Sequence, residues 1–122
     1  MRIGTDIVEV SRIQRAITNW QSDFLQRVFT PQENIKINRE EPNYERASGF
    51  WAAKEAVVKA LGCGYRDGIT FKDIEINHDE LGCPHLIFSG RVKELLIEKQ
   101  MANASLSISH CQHYATAVVI LY

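Results

Sequence analysis

No apolar run in the chain approaches the roughly 18 residues that a membrane-crossing helix needs. The first residues also lack the charged-then-apolar pattern of a secretory leader. A membrane protein and a secreted one are therefore not expected. Cysteine is scarce: Cys63, Cys83 and Cys111 are odd in number and show no C-x-x-C spacing. That spacing excludes a disulfide framework and the usual zinc patterns, and points to a reducing, cytoplasmic location. The chain also lacks an excess of either charge, with 14 Lys and Arg against 15 Asp and Glu. Without a basic field, a nucleic-acid binder is not expected. Repeats, low-complexity tracts and linker-like segments are missing too, so residues 1–122 read as one domain.

What is present is a substantial apolar fraction, 45% of residues, enough to bury a core. Met1–Val10 alternates Ile3, Thr5 and Ile7 against Gly4 and Asp6, which predicts a strand. Ser11 with Gln14 reads as a capping box opening a helix through Trp20, and Phe24–Phe29 as a second short apolar helix. Thr30-Pro31-Gln32-Glu33 is another helix start. A long helix is expected from about Asn43 to Leu61, stopped by Gly62. Beyond it, Phe71–Asn77 and His85–Ser89 read as strands joined by a turn, and Gly90–Met101 as an amphipathic helix. ASLSISH then alternates as a strand. YATAVVILY is apolar on both faces, as in a central or doubly covered strand. The order of elements predicts an α+β fold with a small, mostly antiparallel sheet.

The long helix raises the functional question. FWAAKEAVVKALGCG is apolar almost all the way round, yet it carries Lys54, Glu55 and Lys59. At 3.6 residues per turn Glu55 and Lys59 project together, beside the small residues Ser48, Ala52 and Gly62. Lys54 points about a quarter turn away. One reading is a solvent-facing Glu-to-Lys pair one turn apart. The other is a site, in which Glu55 meets the carboxylate of Asp6, itself out of place in an Ile/Val strand. Two carboxylates from separate elements suit Mg²⁺, a hard cation that keeps some of its water. Lys59 and the Gly62-Cys63-Gly64 turn would then face an anion such as a diphosphate. His110 ends a strand, where a structural role and a chemical one both remain open. Arg12, Arg15 and Arg27 read either as a solvated basic face or as a docking patch for an acidic partner.

Four segments together, IGTDIVEVSRI, FLQRVFTPQE, FWAAKEAVVKALGCG and LSISHCQHYATAVVI, resemble the holo-[acyl-carrier-protein] synthases of the 4′-phosphopantetheinyl transferase superfamily. The resemblance spans nearly the whole chain, in the same order. It implies transfer of the 4′-phosphopantetheine arm of coenzyme A to a serine of apo acyl carrier protein, releasing adenosine 3′,5′-bisphosphate with Mg²⁺ as cofactor. By motif it implies metal ligation by Asp6 and Glu55, and catalysis by Glu55 and Lys59. It implies coenzyme A contacts from Lys59, Gly62, Gly64 and His110, the last from a neighbouring subunit. Carrier docking falls to Arg12, Phe24 and Arg27, site support to Glu9 and Lys54, and assembly to a homotrimer with sites between subunits. One position departs from the pattern: Phe50 stands where a basic residue is usual. Arg46, one turn earlier, is the expected substitute for that cation. A non-catalytic coenzyme A or carrier-binding module of the same fold is the competing expectation.

Overall fold

The computed structural model describes residues Met1–Tyr122. The chain runs β1 (Arg2–Glu9), α1 (Val10–Val28), α2 (Pro31–Ile37), α3 (Tyr44–Leu61), a 3₁₀ turn (Phe71–Asp73), β2 (Ile74–His78), β3 (Pro84–Phe88), α4 (Gly90–Glu98), β4 (Ala104–His110) and β5 (Tyr114–Leu121). All strand pairing is antiparallel: a three-stranded sheet in the order β1-β5-β4, and a separate β2-β3 hairpin. The architecture is α+β, as the sequence predicts. No helix is long and apolar enough to cross a membrane.

α3 is the axis of the molecule, and its caps are those expected. The Asn43 side chain accepts from the Arg46 N–H at 3.0 Å, and Gly62 ends the helix in the left-handed conformation, φ 82°. Arg2 Nη1 donates to the Leu61 carbonyl at 3.2 Å, capping the last turn from β1. One face of α3 lies on the sheet, and its alanines set how close the two layers come. Gly4 is the tightest point: a Cβ there would stand 1.8 Å from the Ala56 carbonyl oxygen. Gly4, Asp6 and Val8 therefore face α3, paired across the ladder with Val119, Ala117 and Ala115.

Several expectations are corrected. Ser11 does not cap α1; Glu9 holds that position, with no side-chain cap bond. α1 is a pair of helices joined without a linker, broken at Gln21 (φ 47°, ψ −125°), so the division expected near residues 21–23 is a kink. Phe71–Asp73 forms a 3₁₀ turn, and β2 begins only at Ile74. α4 ends at Glu98. β5 is central but covered on one face only: Ala115, Ala117, Val119 and Leu121 are buried, while Val118 and Tyr114 stay exposed. The reason is that α3 covers one side of the sheet and no element of this chain covers the other.

Candidate active site

Lys54 and Glu55 are adjacent in α3 and point into different environments. Lys54 is fully buried and ion-paired with Glu33 at 2.8 Å. It also donates to the carbonyls of Phe71, at 2.9 Å, and Ile74. Burial lowers its pKa, and the Glu33 charge opposes that shift. Glu33 does double duty: it closes the capping box with the Thr30 N–H at 2.9 Å and accepts from the Ile76 N–H at 2.8 Å. The pair therefore fastens α2, α3 and the start of β2 together. Lys54 is a structural cation; its support for the site is indirect, through Phe71.

Glu55 is half-buried at the other side of the helix. Its pKa is raised, first by burial and then by the neighbouring charge of Asp6; Lys59, Arg12 and the nearby Tyr65 hydroxyl oppose the shift. Asp6 reaches α3 from β1, and its Oδ1 accepts from Lys59 Nζ at 2.9 Å. The solvent-facing Glu55–Lys59 pair is thus not formed: Lys59 leans to Asp6. Thr116 Oγ1 donates to the Asp6 carbonyl at 2.9 Å, fixing the strand at this point. Strand and helix so bring two carboxylates, Lys59 and Arg12 to one end of α3. Of the small residues beside Glu55 and Lys59, Ser48 and Ala52 are fully buried and offer no open surface. Gly62, by contrast, is exposed, as is Gly64 beyond it, both with positive φ, 82° and 66°.

The two carboxylates are hard oxygen donors whose charges repel, and no third carboxylate, His or Cys clusters with them. That donor set fits Mg²⁺, which takes one or two protein carboxylates and fills its remaining positions with water and phosphate oxygens.

The remaining predicted residues separate into two groups. Arg46, Gly49, Phe50, His78, Pro84, Ile108 and His110 line a cavity of about 210 Å³. Arg46 and Phe50 both line this cavity, and Arg46 Nη1 donates to the Lys36 carbonyl at 3.1 Å. His110 Nδ1 stands 3.3 Å from Glu45 Oε1. His110 therefore lies beside the Glu45–Gly49 turn, about 9–15 Å along α3 from Glu55 of the same chain. Arg12 and Arg27 are exposed on α1. Phe24 is half-buried, stacked on Trp51 with ring centroids 6.0 Å apart. Arg12 also belongs to the field acting on Glu55, which its placement as a docking residue did not suggest.

Tyr65 carries no sequence signal, being one aromatic in a polar loop. The structure packs its ring on Phe71, centroids 4.2 Å apart, with Phe71 stacked on Trp51 at 5.2 Å.

The sequence matches the model of the 4′-phosphopantetheinyl transferase superfamily over residues 2–119. The chain belongs to that superfamily. Curated relatives of the superfamily include a holo-[acyl-carrier-protein] synthase of Verminephrobacter eiseniae, 41% identical over 99% of this chain and 92% of the relative. Another, from Protochlamydia amoebophila, is 45% identical over 97% of this chain and 94% of its own length. Among solved members, the synthase of Neisseria meningitidis superposes with a TM-score of 0.89 at 33% identity, covering 99% of this chain and 97% of the other. The Helicobacter pylori synthase, solved in complex with coenzyme A, gives 0.87 at 32% identity, covering 98% and 99%. This superfamily member is an enzyme of the phosphopantetheinyl transferase type.

Proposed function

We propose that this transferase moves the 4′-phosphopantetheine arm of coenzyme A to a serine of an apo acyl carrier protein, with residues 1–122 acting as one domain. The observation that carries the reading is the Lys59–Asp6 ion pair at 2.9 Å between α3 and β1, with the Glu55 carboxylate near enough to feel the Asp6 charge. Asp6 and Glu55 would hold Mg²⁺, which when bound neutralises charge on the diphosphate of coenzyme A. Lys59, more than half exposed, is free to swing from Asp6 to a phosphate oxygen. The serine oxygen attacks the phosphorus nearer the pantetheine; the phosphoanhydride bond breaks, and adenosine 3′,5′-bisphosphate leaves. Positioning and charge neutralisation supply most of the rate, as in other phosphoryl transfers. Glu55, unlike Asp6, is not paired with Lys59, and is the candidate acceptor of the serine proton. Gly62 and Gly64 leave the backbone open to the cofactor, while Arg12, Phe24 and Arg27 form the docking side for an acidic carrier.

Within one chain His110 is too far along α3 to join the carboxylates, which supports a site completed by a neighbour. The uncovered sheet face supports the same reading: Ile3 and Ile7 are 62% and 68% exposed, beside Tyr114 and Val118. A homotrimer joined through this face would bury it and bring His110, with Arg46 in place of the missing cation at Phe50, to the next subunit's carboxylates. Cytoplasmic action fits the three unpaired cysteines.

Incubation with coenzyme A, Mg²⁺ and apo carrier protein tests the proposal. The expected outcome is a carrier mass increase of one phosphopantetheine arm, abolished by chelation. Coenzyme A binding without any mass increase would instead favour the non-catalytic binding module.

A further inference from the structure

We propose that Tyr65 is a positioning residue: its hydroxyl donates a hydrogen bond to Glu55 and fixes that carboxylate in its working orientation. The inference rests on the reading of Glu55 as a metal ligand, and adds to it a residue outside the motifs that carry the resemblance.

Three observations converge on it. First, the Tyr65 hydroxyl is buried and meets no partner of good hydrogen-bond geometry within the chain. A buried hydroxyl left unpaired is destabilising, so its persistence calls for an acceptor. Second, the acceptor that faces it is Glu55, and each group shifts the protonation of the other. In this state the two groups are neighbours without a hydrogen bond of good geometry between them. Third, the ring is held from behind. Gly62 and Gly64, both at positive φ, fold the chain back after α3. Phe71 then receives the ring face, 4.2 Å between centroids, and Phe71 is itself fixed. Its ring stacks on Trp51, and its carbonyl accepts from Lys54 Nζ.

The buried Lys54–Glu33 pair is thus connected to the site through Phe71 and Tyr65. A carboxylate with two equivalent oxygens and free rotation makes an indefinite ligand. A donor on one oxygen leaves the other for the cation and keeps Glu55 from pairing with Lys59. Partners of this outer kind change metal affinity or activity by about 10–100-fold when removed.

Tyr65→Phe is the direct test, because it keeps the ring and its contact with Phe71. The probe is Mn²⁺ alone, followed by electron paramagnetic resonance on the whole protein. The expected result is an affinity about tenfold weaker than wild type, with an unchanged melting temperature. Transfer should lose rate at saturating coenzyme A while KM for coenzyme A holds. In a Glu55→Gln background, Tyr65→Phe should have no further effect on Mn²⁺ binding. Wild-type Mn²⁺ affinity in Tyr65→Phe would overturn the proposal, and so would equal losses with and without Glu55. A large fall in melting temperature would also overturn it, by assigning the hydroxyl to the fold. A wild-type protein that fails to modify any carrier is a different result; it would sink the transferase reading and not this one.

Discussion

Replacing Lys54 with methionine would leave Glu33 buried without its cation, a loss of about 3–5 kcal/mol for a broken interior ion pair. Denaturant unfolding should register that loss, and the double variant Lys54→Met, Glu33→Gln should recover much of it. The expectation for Glu55→Gln has the opposite sign. Burial and Asp6 raise the folded-state pKa of Glu55 above its ordinary 4.5, so the folded chain holds this proton more tightly than the unfolded one. Stability from this group therefore falls as pH rises from about 4.5 through the raised value, and the ionised carboxylate is a net burden at pH 7. Glu55→Gln should melt higher than wild type at pH 7 in chelator, an advantage that vanishes below pH 4.5. Added Mg²⁺ should raise the melting temperature of wild type and leave Glu55→Gln unmoved. Equal melting curves at pH 7 would contradict this. The approach of Asp6 to the charged face of α3 was legible in the sequence, because charge in an apolar setting demands a partner. The partner of Lys54 was not, since Glu33 also satisfies a capping box and that local role hides the long-range one.

Elements with local signals were equally legible. Thr30 and Glu33 cap α2 within their own turn, and Asn43 and Gly62 bound α3 in the same way. Where the decision is tertiary, the sequence is silent or misleading. Ser11 has the chemistry of a cap, but β1 runs straight into α1 and Glu9 takes the position. The kink at Gln21 carries no Gly or Pro. Gly4 is the clearest case of a tertiary requirement written in one residue, because β1 and α3 can approach only where no side chain intervenes. Gly4→Ala would force a Cβ against the Ala56 carbonyl, and β1 would have to lift from the helix. A destabilisation of about 3 kcal/mol is expected, at the upper end for an overpacked core. Because Asp6 is two residues along the same strand, transfer activity should fall beyond what the folded fraction explains. A folded Gly4→Ala with full specific activity would show that the strand–helix spacing does not set the carboxylate pair.

The whole molecule, as one chain, leaves an apolar sheet face open and holds His110 about two to three helical turns along α3 from Glu55. Both oddities vanish together if subunits join in a ring through heterologous contacts, each supplying one half of every site. Ile7→Glu places a charge on that face without touching the core, since Ile7 is largely exposed in the chain itself. Light scattering should then report a monomer that melts cooperatively but transfers poorly. Complementation gives the sharper test. If the sites lie between subunits of a trimer, Asp6→Asn and His110→Ala each remove one half of every site, and each variant alone should be nearly inactive. Mixed by joint refolding, subunits of the two kinds pair at random, and about a quarter of the sites join an intact Asp6 to an intact His110. Activity should therefore rise on mixing, to about a quarter of wild type. A site built within one chain can never be restored this way, because every chain in the mixture is broken. The absence of recovery in trimers shown to be mixed would place His110 and Asp6 in the same subunit's site, and the exposed sheet face would need another explanation.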